Sequence, residues 1–480
     1  MWFNDKIKQV GEWASTRFPN MFGWFGKKTT PAGVIEKEFG AYPAASRLMD
    51  DNLNLWYNMY INHPPWETCD IRPLGLPGAI GRELSRQAFT EFVMTVSGGA
   101  RADYINQQIE VAKPHFSQHL ELGHCLGGIA LKPYVQDGKI LVDASDTNFT
   151  PTRFDGTGKA IGGVFRTKPT RNRDMWFIRM EYHDFQTKED GGTVYTVKNK
   201  AFRSDQHGAI GSEVSLGVVP EWAGIAPETS IEGLTGPLFA YFKPPSANNV
   251  EPDSPLGISV YAGQTAELIQ QADEQWRLIK WEYESGKRRI YLDGVDSPQF
   301  EDEIFVVGPF SGAGDMFQVF SPEFRDAPLY DGFQHILQQI EFNVGLAYGT
   351  LSDPQSVEKT ATEILAAKNR QRVTVSEIQK TFEAVLNDLL YAMSALCDLY
   401  KLSPAGEYKA EYNWGDGVLD DPDTKRQDMA MDAQLITQSV FAPWEFRMKW
   451  YGEDEATAKR MIAEIQSEGE EVEPVMEETE

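Results

Sequence analysis

TATEILAAKNRQRVTVSEIQKTFEAVLNDLLYAMSALC, residues 360–397, is the stretch of the chain that says most about its architecture. Its apolar residues recur every three or four positions, which is the spacing of one face of an α-helix. They are Leu365, Ile378, Phe382, Val385, Leu386, Leu389, Leu390, Met393, Leu396 and Cys397. The pattern predicts a single helix of about 40 residues and roughly 60 Å, far above the usual mean length, and ordinary enzymes rarely need such a rod.

Two further helices are predicted before this one. The first begins near Val260, continues for about 30 residues and stops at residues 285–286, Ser-Gly. The second carries an apolar stripe over residues 329–349 and ends just ahead of a polar loop. Between them, residues 290–320 are rich in Gly and Pro and are predicted to form a compact β insertion. Two helices that leave and return around an insertion place that insertion at the tip of a stalk.

The remaining regions divide into helical and strand-like patterns, with a change near Gly127. Before it, apolar spacing predicts helices at 35–57, 83–96 and 102–122, the last interrupted by Pro114. After it, alternation of period two predicts a meandering sheet with strands at 129–135, 139–142, 163–167, 175–182 and 193–197. Beyond the long helix we expect a strand at 408–414, helices at 424–437, 442–450 and 455–468, and a disordered acidic tail at 468–480.

The composition indicates a folded, acidic protein. With 45 Lys and Arg against 71 Asp and Glu, the formal net charge of the 480 residues is −26, which disfavours a broad basic surface for nucleic acid. Three cysteines without a C-x-x-C pair argue against a disulfide framework. Residues 1–28 mix aromatic residues with charges and lack the apolar core of a signal peptide. A packing arm on a neighbouring subunit is favoured over an interfacial membrane helix for this segment.

A search for catalytic chemistry finds no set of residues with the required spacing. His115 and His119 lie one helical turn apart, and His124 with Cys125 follows, which is metal-like spacing. The Glu of an HExxH motif is absent, however, and no further ligand follows. The GTGK run at 156–159 lacks the flanking residues of a phosphate-binding loop and is predicted to be a hairpin turn. The sequence therefore predicts neither an enzyme nor a bound metal or cofactor.

The densest basic run is Lys287-Arg288-Arg289, where the first of the two stalk helices ends. A favourable interaction with the C-terminal end of the helix dipole accounts for cations at this place without any ligand. A phosphate or protein contact accounts for them equally well, because three cations exceed what the dipole requires. Both interpretations stay open at this point.

Four segments resemble the portal, or connector, proteins of tailed bacteriophages, particularly those of long non-contractile-tailed phages of Gram-positive hosts. PLFAYFKPP from Pro237, with NNVEPDSPLGISVY from Asn248, is similar to the family's approach to its first stem helix. WEYESGKRRI from Trp281 is similar to the exit of that helix into the clip. EKTATEI from Glu358 resembles the segment leaving the tunnel loop, and WEFRMKWYGEDE from Trp444 the C-terminal helical region. The four segments occur in the family's order, within residues 30–466.

The resemblance implies an α+β portal fold that assembles as a ring. It assigns residues 1–255 to the N-terminal part of a mixed α/β wing, 256–286 to stem helix 1, 287–325 to a small β-containing clip, 326–350 to stem helix 2, 351–359 to the tunnel loop, 360–412 to the long wing helix and the following strand, and 413–480 to a helical crown with the acidic tail.

The resemblance also implies a function. The family forms a ring of about twelve subunits at one capsid vertex of the virion, after assembly in the host cytoplasm. A terminase motor packages double-stranded DNA through this ring, and the DNA is later ejected through it. The implied partners are further copies of the chain, double-stranded DNA, the terminase, the head-to-tail connector, the major capsid protein and the scaffold, with no membrane. The acidic charge suits a conduit, since a cation-rich wall would hold DNA by its phosphates.

For the tunnel loop, the resemblance implies DNA-facing positions for Ser352, Asp353, Gln355, Ser356, Glu358 and Lys359. Lys359 is the cation among them, and it contacts the DNA backbone in this hypothesis unless it pairs with Glu358 or Glu363. In the clip, Lys287, Arg288 and Arg289 are expected to contact DNA, the terminase or the connector.

The alternative from another class is a minor capsid protein or host-surface binding protein without a channel. The sheet predicted within residues 127–200 would then be its recognition module. A portal is expected to form closed rings in solution, whereas a binding module is expected to be monomeric or a small oligomer.

Overall fold

A computed structural model describes residues 31–145, 148–285, 289–292, 305–307, 317–320, 325–354, 361–415, 422–437 and 440–470. The fold is mixed α+β, with 47% helix and 22% strand. The chain divides into two compact units, Met1–Trp414 and Gly415–Glu480. Within the described ranges, no helix combines the length and apolar character needed to cross a membrane. The aromatic segment 1–28 and the end of the predicted acidic tail lie outside the described residues.

The helices of the first unit follow the three- and four-residue spacing of apolar positions. Their bounds are α1 Pro31–Phe39, α2 Arg47–Tyr60, α3 Leu76–Phe89, α4 Ala100–Ala112, α5 Phe116–Leu126, α6 Gln264–Ser285, α7 Asp326–Val344 and α8 Ala361–Tyr400. The predicted break at Pro114 is present, as a short 3₁₀ turn between α4 and α5. The predicted long helix is also present, with 40 residues in α8.

The bounds of the strands are β1 Val93–Gly98, β2 Ile129–Gln136, β3 Lys139–Ser145, β4 Phe149–Phe154, β5 Ala160–Arg166, β6 Thr170–Asn172, β7 Met175–Thr187, β8 Thr193–Ser204, β9 Ser212–Val214, β10 Glu228–Glu232, β11 Ala240–Phe242, β12 Arg289–Leu292, β13 Phe305–Val307, β14 Phe317–Phe320 and β15 Tyr408–Asn413. Six of the strands, β2, β3, β5, β7, β8 and β15, coincide with strands that the period-two pattern predicts. Asp137 and Gly138 form the turn between β2 and β3 with φ of +51° and +73°. Positive φ at both positions matches the right-handed twist of a hairpin.

The largest sheet has seven strands in the order β10-β8-β7-β5-β4, with β6 paired to β7 and β9 to β8. A second sheet has the order β11-β2-β3, and a third, within the predicted insertion, has the order β13-β12-β14. The prediction of one meandering sheet over 129–197 is therefore wrong, because β2 and β3 form a sheet with the remote strand β11 and not with β5, β7 and β8. In that third sheet β12 is parallel to β13 and antiparallel to β14. Strands β1 and β15 form a separate antiparallel pair.

The large sheet is covered on both faces along β7. Successive residues of a strand point to opposite faces, so the neighbours Phe177 and Ile178 enter different clusters. Ile178 packs with Ile35 of α1. Phe177 packs with Val219 and Trp222, which precede β10. The sheet is therefore an interior layer at this point, and neither face of β7 is left open.

One predicted helix is divided in two. The expected helix at 35–57 is interrupted after α1, because Gly40 takes the left-handed region with φ of +67°. Helix α2 then begins anew where the Ser46 hydroxyl accepts a hydrogen bond from the Met49 N–H at 3.2 Å. This is a standard N-cap, and the apolar spacing alone did not reveal the break.

A second predicted helix, at 83–96, is wrong in its last part. Helix α3 ends at Phe89, and Val93–Gly98 is the strand β1. Its partner β15 is remote, since Ser97 and Lys409 are 312 residues apart along the chain. Tertiary pairing therefore overrides the local helical spacing of this segment.

Helix α6 is shorter than predicted, with 22 residues instead of about 30. The residues before it form no regular helix, because the Val260 N–H donates to the His124 carbonyl at 3.0 Å. Gly263 has a φ of +62°, which also excludes it from the helix. The start at Gln264 thus follows from contacts with α5 that the apolar spacing does not encode.

Helix α8 forms the centre of the core of the first unit. Phe382 is completely buried, and its ring lies 5.3 Å from that of Phe89, 5.9 Å from Phe116 and 5.8 Å from Phe242. One helix therefore joins α3, α5 and β11 in a single aromatic cluster. Aromatic pairs at such distances contribute beyond the area they bury.

A buried arginine fixes the C-terminal end of α8. Arg101 of α4 donates to the Ser394 carbonyl at 3.0 Å, to the Asp398 carboxylate at 2.5 Å and to the Pro404 carbonyl at 3.0 Å. A cation is favourable where helix carbonyls lack partners. The Asp398 carboxylate raises the pKa of Arg101, so this guanidinium stays charged.

The second unit contains the three helices predicted for it, α9 Pro422–Thr437, α10 Pro443–Tyr451 and α11 Glu455–Glu470. Asp432 accepts hydrogen bonds from Lys449 at 2.6 Å and from the Trp450 indole at 2.9 Å. Among the described side chains of this unit, Ala458 is the one buried apolar residue. Polar contacts therefore hold much of what is described here.

Candidate functional site

Helices α6 and α7 form a pair on either side of the β insertion, as the predicted stalk requires. Each helix contributes a buried stripe, and Ile279 of α6 and Leu337 of α7 both belong to the main core cluster. Gln275 donates to the Leu329 carbonyl at 2.9 Å, and the Trp276 and Phe333 rings lie 5.4 Å apart. The pair therefore packs along its length by apolar and polar contacts together.

At the insertion end, an ion pair joins the two helices. Glu282 of α6 accepts from the Arg325 guanidinium at 2.9 and 3.2 Å and from the Arg325 backbone N–H at 3.1 Å. The hydrogen bond from Arg325 lowers the pKa of Glu282. This ion pair therefore holds the end of α6 beside the beginning of α7.

A second acidic residue ties α6 to an irregular segment of the first unit. The Asp273 carboxylate is buried and accepts from the Trp66 indole at 2.8 Å and from the Leu74 N–H at 2.9 Å. Burial raises the pKa of Asp273. This carboxylate thus anchors the segment between α2 and α3 on the helix pair.

A third acidic residue, Glu341 in the last turn of α7, holds the beginning of the loop that follows. Its carboxylate has no exposed surface and accepts from the N–H groups of Gly349 at 3.2 Å, Leu351 at 2.5 Å and Ser352 at 2.9 Å. The Ser352 hydroxyl donates to it as well, at 2.9 Å. A negative charge near a helix C-terminus is unfavourable, because the helix dipole is negative at that end. The four hydrogen bonds to the carboxylate must outweigh this unfavourable energy.

The path from α7 into the loop is restricted further. Gly345 has a φ of +78°, and a Cβ placed there would lie 2.2 Å from the Thr374 hydroxyl, so the position admits only glycine. Arg370 of α8 donates to the Leu346 carbonyl at 3.1 Å and lies over the Tyr348 ring at 4.7 Å. The loop therefore leaves a rigid base formed by α7 and α8.

Large apolar side chains remain exposed along α6. Trp276 is 40% exposed and Trp281 is 52% exposed. At about 100° per residue, Trp276 lies within the buried stripe that contains Ile279, whereas Leu278 and Trp281 lie on the opposite side of the helix. The single chain thus leaves an apolar side of α6, formed by Leu278 and Trp281, in contact with water.

The structure places the predicted tunnel-loop residues as follows. Ser352 is buried, and its hydroxyl is bound to Glu341 as described. The Asp353 N–H donates to the Gln334 side chain at 2.7 Å. The remaining four, Gln355, Ser356, Glu358 and Lys359, lie outside the described residues. Ser352 therefore helps to form the base of the loop, and its hydroxyl is occupied within the chain.

The predicted clip residues cannot be assigned contacts. Lys287 and Arg288 lie outside the described residues. Arg289 begins strand β12, where its backbone pairs with Phe320 of β14, and its side chain is not described. The compact β insertion itself is present, as the three-stranded sheet of β12, β13 and β14.

The three histidines with metal-like spacing occupy different environments. The His115 and His119 rings lie 6.2 Å apart, and burial together with the charge of His115 lowers the pKa of His119 to about 4. His124 is buried beside Phe242, at 5.3 Å between rings, and burial lowers its pKa to about 3. Across the described ranges, no three His, Cys, Asp or Glu side chains converge as a metal site would require.

The GTGK segment is a turn, as predicted. Asp155 Oδ1 accepts from the N–H groups of Thr157 and Lys159 at 2.8 and 2.9 Å, which closes the turn between β4 and β5. Lys159 Nζ lies 2.6 Å from Asp388 of α8. The lysine thus joins the sheet to the long helix.

The sequence interpretation missed Asp273, Glu282 and Glu341. Each occupies a buried position on a helix whose neighbouring buried positions are apolar, so an acidic residue within an apolar stripe was the available signal. Glu341, for example, directly follows the buried Ile340. Such residues are rarely buried without partners, and the identity of the partners required the tertiary structure.

Comparison with known proteins adds no relative to this description. No protein-family model matches the chain, and no curated protein matches it either.

Proposed function

We propose that the chain is the subunit of a bacteriophage portal. In this proposal, copies of it form a ring-shaped conduit at one capsid vertex, through which a terminase motor packages double-stranded DNA and from which the DNA is later ejected. The ring also docks the head-to-tail connector. The support is the order of elements, with a helix pair around a β insertion, an anchored loop and then a 40-residue helix.

The observation that carries the proposal is the exposed apolar side of α6, opposite its buried stripe. Leu278 is 37% exposed and Trp281 is 52% exposed there. In a ring, such a patch meets a different patch of the next copy head to tail. Burying it against a further copy removes apolar area from water, which favours assembly of the chain.

The charge of the chain supports a conduit rather than a clamp. Each phosphate neutralised by Lys or Arg releases counterions and strengthens binding to DNA. With a formal net charge of −26, the chain as a whole repels a polyanion. DNA that must slide is better served by such a wall, and the absence of a catalytic set in the sequence agrees with a structural role.

In this proposal, the loop after α7 is the part of the subunit closest to the DNA. Its base is held by Glu341 and Gln334, so the residues beyond it start from a fixed point. We assign backbone contact with DNA to Lys359 within that loop. Its competing role is an ion pair with Glu358 or Glu363, and a Lys359→Glu variant that packages DNA at the normal rate would remove the assigned contact.

Electron microscopy of the purified, untagged protein tests the proposal. Closed rings of about twelve copies around a hole of roughly 20 Å or more, wide enough for a duplex, are the expected result. Monomers or dimers at high concentration would overturn it. They would favour the alternative, a minor capsid or surface-binding protein whose recognition module is formed by the strands from β2 to β8.

A further inference from the structure

A group of cations lies at one end of the seven-stranded sheet, where a hairpin joins β6 to β7. Residues 166–176, RTKPTRNRDMW, contain four basic residues and one acidic residue, whereas the whole chain has 45 basic and 71 acidic residues. Arg203 of β8 stands opposite Phe177 in the register, next to this hairpin. The exposed members are here called the hairpin cations: Lys168, Arg171, Arg173 and Arg203.

The hairpin cations differ from the other basic residues of the sheet. Elsewhere on it, carboxylates lie close to the basic side chains: Arg153 with Asp184 at 2.6 Å, Lys188 with Glu232 at 2.6 Å and Lys200 with Glu38 at 2.6 Å. Arg171 reaches only Asp174, at 3.9 Å, and Asp174 is fully exposed. Within the described part of the chain, neither Arg173 nor Arg203 has a carboxylate at ion-pairing distance. Lys168 interacts electrostatically with Asp143 of β3. In a chain with excess carboxylates, the arginines at this end of the sheet keep their positive charge open.

The side chain of Arg171 is held in place before any partner binds. Its guanidinium lies 5.9 Å from the centre of the Trp176 ring, and its Nε donates to the Arg173 carbonyl at 3.0 Å. The Trp176 ring also packs edge to face against the His207 ring, with 4.5 Å between the ring centres. A guanidinium that is already ordered loses less conformational freedom on binding an anion.

Arg173 occupies a backbone position that normally selects glycine. It is the first of two turn residues between the paired Asn172 and Met175, and its φ is +55°. A two-residue hairpin with positive φ at this position usually has Gly there. A side chain costs about 1 kcal/mol in the left-handed region, so the arginine is retained against a backbone preference, which indicates a role for its guanidinium.

We propose that the hairpin cations bind the phosphate backbone of duplex DNA, at a site separate from the helix pair and its loop. Arginine matches phosphate through two parallel hydrogen bonds. The carboxylates of this chain, the competing anions, already neutralise the other cations of the sheet. Duplex DNA offers a dense row of phosphates, with one charge per about 1.7 Å of its axis. The site recognises backbone charge and carries no base sequence specificity.

Covalently closed circular duplex DNA tests this inference with the full-length protein, because such DNA cannot thread through a closed ring. Affinity for a fluorescent circle is measured at several salt concentrations for the natural protein and for R171Q/R173G. We expect the double variant to bind about 10-fold more weakly, with the slope of log K against log salt reduced by about 2. R173G alone is expected to reduce the slope by about 1 while keeping or raising thermal stability, since glycine suits the turn.

The matched control is K188Q, which removes one positive charge at the other end of β7 and β8, where Lys188 is paired with Glu232. Its affinity is expected to change by less than about 2-fold, as for a cation that already has a partner. Equal binding by the natural protein and R171Q/R173G would overturn the inference. So would equal competition by a polyglutamate peptide of the same charge, which would indicate an acidic protein partner.

The two proposals fail in different ways. If rings form but the circle does not bind, the hairpin inference is wrong and the portal proposal stands. If the circle binds through the hairpin but no rings form, the hairpin inference stands and the portal proposal is wrong.

Discussion

The helix pair α6–α7 and the seven-stranded sheet differ in which side chains they leave exposed to solvent. The sheet covers both faces of β7 and pairs most of its cations, for example Lys200 with Glu38. The helix pair buries three carboxylates with donors from the chain itself and leaves Leu278 and Trp281 exposed. Within one chain, the sheet therefore has few unpaired groups, whereas the helix pair has a buried interior and an exposed apolar side. In the proposed ring, that difference favours the helix pair as the region that meets further copies.

The largest effect is expected in the sheet, where a buried charge network is broken. Glu181 accepts from Lys132 at 2.9 Å, Arg179 at 3.0 Å and His183 at 2.7 Å. Although burial opposes it, Lys132 and His183 hold the pKa of this carboxyl well below its usual range. Replacing Glu181 by Gln leaves buried cations unpaired, and we expect a loss of about 4 kcal/mol in the free energy of unfolding by urea.

The control for that experiment is Glu228→Gln. Glu228 is 58% exposed at the side chain and lies 3.5 Å from Lys198 on the same sheet. Its loss is expected to be below about 1 kcal/mol, because exposed pairs contribute little. Similar losses for the two variants would contradict the view that the sheet depends on its internal charge pairing.

A smaller effect is expected at the helix pair, and it concerns ring assembly and not the stability of the fold. Trp281→Glu places a charge on the exposed apolar side of α6, and we expect ring association to weaken by about 100-fold. The matched control is Val218→Glu, on the loop before β10, where the side chain is 45% exposed. Light scattering of both variants checks this, and dissociation of rings by Val218→Glu alone would reverse the comparison of the two regions.

The base of the loop after α7 is expected to show a lesser loss of stability. Glu341→Gln replaces one acceptor oxygen by an amide donor that faces the N–H groups of the loop, which we expect to cost about 2 kcal/mol. Hydrogen exchange at the Leu351 and Ser352 amides should accelerate, because both donate to this carboxylate. Glu284→Gln, at an exposed position of α6, is the control. Unchanged exchange in Glu341→Gln would show that the carboxylate does not hold the loop.

At neutral pH the smallest effect is expected at His124, whose contribution appears as the pH falls. Its pKa is lowered to about 3 by burial, whereas an unfolded histidine titrates near 6.5. Between these values the unfolded chain binds a proton that the folded chain does not, so stability falls as the pH falls from 6.5 towards 3. We expect His124→Leu to reduce this slope by up to about 1.4 kcal/mol per pH unit. An identical slope in both proteins, from urea unfolding at several pH values, would contradict the burial of a neutral imidazole.

Much of the fold was predictable where the signal is local. The 40-residue helix α8, the break at Pro114, the hairpin turn at Asp137-Gly138 and the three helices of the second unit all follow from spacing and turn chemistry. Such features depend on residues within a few positions of one another. The division of the helix at 35–57 was missed, because a cap and a left-handed glycine contribute nothing to apolar spacing.

The candidate site was predictable only in outline. The arrangement of helix, insertion, helix and loop came from periodicity, and the DNA-facing position of the loop came from the resemblance. Neither revealed that Ser352 lies in a buried base, where the Glu341 carboxylate meets the loop amides. The hairpin cations were not singled out, since four basic residues in a loop are ordinary until their neighbours are seen to be paired.

The sequence on its own therefore established which segments are helices and strands, since those periods are properties of adjacent residues and of the solvent they avoid. Only the tertiary structure decided that Val93–Gly98 is a strand, because its partner at Tyr408–Asn413 is brought beside it by the whole chain. It also decided which carboxylates and cations are paired. Pairing is a matter of distance in space, and the electrostatic energy of two charges depends on that distance and on the water left between them.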